Sequence, residues 1–138
     1  MGKRRRAREL VLQALYEVEF SDRPPAQVVA EQIERRGPSD ETAERARDLF
    51  LKTVEKREEL DRIIRSFLEH WDFERVSLVD RNILRFALAE VLYFPDVPAS
   101  VIIDEAIEIA HRYSSDEAGR FVNGLLDRFV REFRKDGA

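Results

Sequence analysis

A chain of 138 residues, 43% hydrophobic and 38% charged, suits one packed domain and is too apolar for a disordered segment. It has no cysteine, which excludes disulfides, thiol catalysis and sulfur-ligated metals, and its two histidines, His70 and His111, are too far apart in sequence to favour zinc. The net charge is −4, yet Lys3, Arg4, Arg5, Arg6 and Arg8 all precede the first acid, so an acidic body carries a concentrated basic start.

Residues 3–20 place Ala7, Leu10, Val11, Ala14, Leu15 and Val18 at helical spacing, while Leu12, Tyr16 and Phe20 form a second apolar stripe on roughly the opposite side. Such a helix lies between two layers of its own fold, or between the fold and a partner. Tyr16 keeps a hydroxyl that needs water or an acceptor, which leans it toward an interface. The cations occupy the first turn, where the helix already carries about half a positive charge and each arginine costs roughly a few tenths of a kcal/mol. Two readings follow. The guanidiniums form a clamp for phosphate, or the segment 1–8 is an unstructured solubilising tail.

Residues 21–25 read as a loop, and a short helix over about 26–36, with Val29 and Ile33 inward, ends at Gly37-Pro38. Ser39 or Asp40 can cap a helix over about 40–56 that turns Ala43, Ala46, Phe50 and Val54 inward. The next, about 58–71, carries Leu60, Ile63, Ile64, Phe67, Leu68 and Trp71, and residues 72–76 connect it onward. Ser77 with Asp80 resembles a capping box. The helix it opens, about 78–93, is apolar nearly all round and so should be central. Its exceptions, Asp80, Arg81, Asn82, Arg85 and Glu90, must face solvent, each other or a partner.

Residues 95–98 break the chain before a helix over about 99–113, which uses Ile102, Ala106, Ile109 and Tyr113. Ser114 with Glu117 opens the last, about 116–133, with Val122, Leu125, Leu126, Phe129 and Phe133 inward. Gly124 within it suggests close backbone packing, and residues 134–138 should fray. The expectation is an all-α chain of about seven helices forming a single domain over 1–138. No signal-peptide core or apolar run of about 18 residues occurs, which points to a cytoplasmic protein.

No catalytic constellation stands out. Asp104, Glu105 and Glu108 within one helical turn read as an exposed acidic face, His111 with Ser114 or Ser115 matches no nucleophile arrangement, and no Gly-rich phosphate loop exists. A helical chain without reactive groups or cofactor signatures is expected to be a binding module, not an enzyme, with no metal and no cofactor. Phe121 is either a core-edge aromatic or a platform for an unstacked base.

Four stretches occur in an order that resembles the NusB family of bacterial transcription antitermination factors. They are Arg4-Arg5-Arg6-Ala7-Arg8-Glu9 with Gln13-Ala14-Leu15-Tyr16, Val79-Asp80-Arg81-Asn82-Ile83-Leu84-Arg85, Ile103-Asp104-Glu105-Ala106-Ile107-Glu108-Ile109-Ala110, and Arg120-Phe121-Val122-Asn123-Gly124-Leu125-Leu126-Asp127. The resemblance implies two perpendicular three-helix bundles. It also implies pairing with NusE, a ribosomal small-subunit protein, binding of single-stranded boxA RNA from rRNA leaders, and entry into the RNA polymerase antitermination complex.

By the same resemblance, Lys3, Arg4, Arg5, Arg6 and Arg8 would bind RNA, with Asp116, Glu117 and Phe121 close to it. Tyr16, Phe20 and Asp80 would meet NusE. Asp80 stands where some members carry Glu, which keeps the acid and shortens its reach, and no contact is implied for residues 69–76. Some relatives self-associate, so a homodimer is open. The alternative is a helical scaffold that self-associates through Leu12, Tyr16 and Phe20 without specific RNA recognition.

Overall fold

The structure is a computed structural model that describes residues 2–70 and 72–137, so Trp71 and the extreme ends of the segments 1–8 and 134–138, Met1 and Ala138, lie outside the described residues. The helices are α1 (Lys3–Glu19), α2 (Pro25–Arg36), α3 (Asp40–Glu55), α4 (Arg57–Phe67), α5 (Leu78–Tyr93), α6 (Ala99–Tyr113) and α7 (Asp116–Phe133). Short 3-10 turns span Phe73–Arg75 and Lys135–Gly137, and no strand occurs among the described residues. The all-α reading is correct.

Helices α1, α2 and α3 pack on one another, α5, α6 and α7 form a second group, and α1 and α3 both reach α5. α5 is the shared element, buried without interruption from Asn82 to Val91, as its all-round apolar sequence requires. Phe50 of α3, Phe86 of α5 and Phe129 of α7 are fully sealed. Each such side chain contributes on the order of 1.5–3 kcal/mol through removal from water.

The ends follow local chemistry. Pro25 opens α2, where its missing N–H would have no intrahelical acceptor anyway, and Gly37 closes it with φ 58°, a conformation costly for residues with a Cβ. Ser39, Ser77 and Ser115 accept hydrogen bonds from the N–H of Thr42, Asp80 and Ala118. Such caps typically contribute about 1 kcal/mol each. The cap of α7 is therefore Ser115, not Ser114, whose N–H is committed to the Ala110 carbonyl at the end of α6.

Several expectations change. α4 stops at Phe67, short of residue 71, because Arg128 of α7 donates to the Phe67 carbonyl at 2.8 Å and Leu68 leaves the helix in an extended conformation. The stretch 72–76 is more than a connection. Phe73 is buried within it, and the guanidiniums of Arg65, Arg81 and Arg85 stand 4.5, 5.4 and 5.4 Å from its ring. Phe133 is 40% exposed instead of inward. A side chain at Gly124 would meet open space; the close approach is at Gly119, where a Cβ would lie 2.1 Å from the His111 ring.

The described part of the tail does not fray. Arg134 donates to the carbonyls of Glu90, Val91 and Phe94 at the end of α5, and Asp136 accepts from the Ala99 N–H at the start of α6. One short segment thereby satisfies orphan groups of two helix ends.

Candidate nucleic-acid and protein interfaces

α1 starts without local help. Gly2 supplies no side-chain cap, and no acid occupies the first turn. Compensation comes from other helices. Arg5 donates to both Glu105 oxygens on α6, at 2.8 and 3.4 Å, and this hydrogen bond raises the Arg5 pKa above its ordinary value. Lys3 lies 3.5 Å from Glu41, and Arg6 donates to the Arg36 carbonyl at 3.0 Å. Contacts this exposed add little stability and can be exchanged for a ligand at small cost. Arg4 is exposed and makes no side-chain ion pair among the described residues.

Arg8 requires a correction. It is 2% exposed, and its Nε and Nη2 donate to the two oxygens of buried Glu90 at 2.7 and 2.5 Å. Nη1 closes onto the Arg4 carbonyl at 3.1 Å. Burial pushes the Glu90 carboxyl up, against the pull of the Arg8 guanidinium. Arg8 is thus a bolt between α1 and α5 and offers no face to phosphate. The signal that could have found this is register: Arg8 lies one turn before Val11 and two before Leu15, both buried on the main apolar stripe. The outward cations are Lys3, Arg4 and Arg6, with Arg5 partly committed.

The polar exceptions on α5 divide in the same way. Arg85 is buried, donating to both Asp61 oxygens at 2.7 and 3.1 Å and to Asn82 at 2.8 Å. Asp80 instead stays at the edge. It lines a cavity of about 280 Å³ with Arg75, Val76, Ser77, Ser115, Glu117, Ala118 and Phe121. The half-buried Phe121 ring and the exposed Glu117, assigned to RNA by resemblance, therefore share a cavity with Asp80, assigned to the protein partner. Asp116 is exposed beside it as the first residue of α7. Asp80 Oδ1 is closed off from solvent and has no hydrogen-bond partner among the described residues. Arg75 and the two capping serines complete this cavity; sequence spacing identified the cap at Ser77 but gave no sign that the two helix starts converge.

The second stripe of α1 splits. Leu12 is buried, whereas Tyr16 and Phe20 are 47% and 71% exposed with ring centroids 5.2 Å apart. Large exposed aromatics of this kind are enriched where one protein meets another. His111 sits against Gly119 and not in a reactive cluster, and Glu105 of the acidic trio is tied to Arg5.

A helical chain with a basic helix start, an exposed aromatic pair and an acid-edged cavity has the features of a binding protein. The comparisons with known proteins sharpen this. The NusB family model matches residues 5–131. Transcription antitermination protein NusB of Koribacter versatilis (strain Ellin345) is 42% identical over 132 residues, covering 95% of this chain and 90% of that protein. NusB of Bacillus mycoides (strain KBAB4) is 42% identical over 124 residues, covering 90% and 94%.

Among solved structures, T. maritima NusB superposes with a TM-score of 0.89 at 39% identity, covering 99% of this chain and 96% of that one. A chain from a crystal structure of antitermination factors NusB and NusE in complex with dsRNA gives 0.86 at 26% identity, covering 96% and 99%. This chain belongs to the NusB family. No helix among the described residues is long and apolar enough to cross a membrane.

Proposed function

We propose that this chain is a transcription antitermination adaptor that, paired with NusE, binds boxA-type RNA of rRNA leader transcripts and joins the RNA polymerase antitermination complex. It works in the cytoplasm as one binding unit, without enzymatic activity, metal or cofactor. The observation that carries the reading is the match to NusB proteins along nearly the whole chain, together with a neighbour whose structure includes NusE and dsRNA.

The geometry supports a division of labour. Lys3, Arg4, Arg5 and Arg6 meet backbone phosphates, which gives affinity without sequence choice. Phe121 offers a ring to an unstacked base, with Asp116 and Glu117 beside it. Tyr16 and Phe20 anchor NusE, and Asp80, at the edge of the cavity, presents its carboxylate to the same partner. NusE, a basic ribosomal protein, complements the acidic body and would associate fast for that reason.

The test is capture on immobilised NusE with and without boxA RNA. The expected result is retention of this chain by NusE and stronger retention of RNA by the pair than by either protein alone. A chain that ignores both and elutes as a salt-insensitive dimer overturns the reading in favour of the scaffold.

A further inference from the structure

A second cavity, of about 200 Å³, is lined by Arg6, Glu9, Leu10 and Arg36. Arg36 is the last residue of α2, far in sequence from the basic start, and nothing in the sequence pattern joined the two. Its guanidinium is held from behind. Nε donates to Gln32 Oε1 at 2.9 Å, and buried Gln32 donates in turn to Glu17 Oε1 of α1 at 2.7 Å. The two terminal nitrogens of Arg36 make no hydrogen bond among the described residues. Arg6 is positioned as well, because its Nη2 donates to the Arg36 carbonyl.

Two forks from different helices thus border one space, each fixed by one nitrogen and open at others. The single carboxylate in the lining, Glu9, is met from the α6 side by Arg112 at 3.1 Å. Two arginines against one carboxylate that is already paired leave the lining of the cavity net positive.

We propose that Arg6 and Arg36 together seat one RNA backbone phosphate, so that the RNA track leaves the start of α1 and runs over the end of α2. The inference rests on the RNA-binding reading above and adds α2 to the surface that performs it. A contact to phosphate carries no sequence information, so its loss acts equally on every RNA.

The experiment is a salt titration of boxA and scrambled single-stranded RNA against the complex with NusE, using the wild-type chain, Arg36→Ala, Arg36→Lys and Arg4→Ala. One phosphate contact on a single strand contributes about 0.7 to the slope of log affinity against log salt, which is about fivefold in affinity at roughly 0.1 M salt. Arg36→Ala should show both changes on both RNAs with an unaltered unfolding curve. Arg36→Lys should keep the slope and recover part of the affinity. If Arg4→Ala flattens the slope while Arg36→Ala leaves it untouched, the phosphate seat is refuted and the RNA reading stands. If the wild-type complex takes up no RNA, both fail together.

Discussion

Cutting Arg8 back to alanine separates the fold from the RNA surface. Arg8 and Glu90 are both almost fully buried and joined by two hydrogen bonds, so Arg8→Ala leaves a carboxylate between α1 and α5 without its hydrogen-bonded counter-charge, with only the weaker pull of Arg45 and Arg134 remaining. Removing one partner of a buried pair costs about 3–5 kcal/mol, and at this chain length that lowers the melting temperature by roughly 10–17 °C. The orphaned carboxyl can take up a proton, which limits the loss and gives it a pH signature. Burial already pushes Glu90 up, and without Arg8 its native pKa stands further above the unfolded value. The protonated form is then the tolerated one, so the deficit of Arg8→Ala relative to wild type should be largest near neutrality and shrink as pH falls toward the ordinary carboxylate range. Arg8→Met with Glu90→Leu removes both charges and should recover most of the stability. Thermal and urea unfolding followed by circular dichroism, repeated from neutral pH to about pH 4.5, reads all of this. An Arg8→Ala variant as stable as Arg4→Ala, or a double variant that folds but has lost RNA binding, would refute the structural role assigned here.

Other substitutions probe the remaining surfaces. Tyr16→Ala removes a half-exposed aromatic, so it should leave unfolding nearly unchanged yet weaken NusE binding by about thirtyfold, the scale of an anchor residue; equal loss of RNA binding without NusE would contradict separate faces. Asp136→Asn tests the clasp on α6. The Ala99 N–H, and after it Arg134, hold the Asp136 carboxyl below its ordinary value, so its contribution is present above that value and disappears as pH falls through the native one. The variant should therefore melt below wild type at pH 7 and alongside it in strong acid. Gly124→Ala should stabilise by about 1 kcal/mol, since the new methyl meets open space on a helix; Gly119→Ala should not, because it displaces His111.

Helical periodicity made the architecture legible. The apolar spacing placed α1, α2, α3, α5, α6 and α7 close to their observed bounds, because each buries one stripe and α5 buries all sides. What it missed are places where arginine replaces a local signal. Arg128 ends α4 from another helix, Arg134 closes α5, and Arg8 satisfies Glu90 across the core, none of which follows from neighbours in sequence. All three arginines are tertiary connectors, joining segments far apart in sequence.

The surface features of the candidate site were legible residue by residue but not in their grouping. Lys3, Arg4, Arg6 and the Tyr16–Phe20 pair lie exposed, while Arg5 is half-buried against Glu105 and Arg8 is buried. The shared cavity of Asp80, Glu117 and Phe121, and the meeting of Arg6 with Arg36, depend on helix ends that converge only after folding. Cations at an unfavourable helix end are met from other helices: Glu105 of α6 pairs Arg5 in the first turn, and Glu90 of α5 pairs Arg8 in the second.

The central claim is that the outward cations at the start of α1 neutralise RNA phosphates. It is tested most directly by the salt dependence of single-stranded boxA RNA binding to the complex with NusE, compared with a chain in which Lys3, Arg4, Arg5 and Arg6 are all alanine. Four such contacts predict that the substitutions flatten the slope of log affinity against log salt by about 3 while the fold persists. Identical slopes for the two proteins would contradict it.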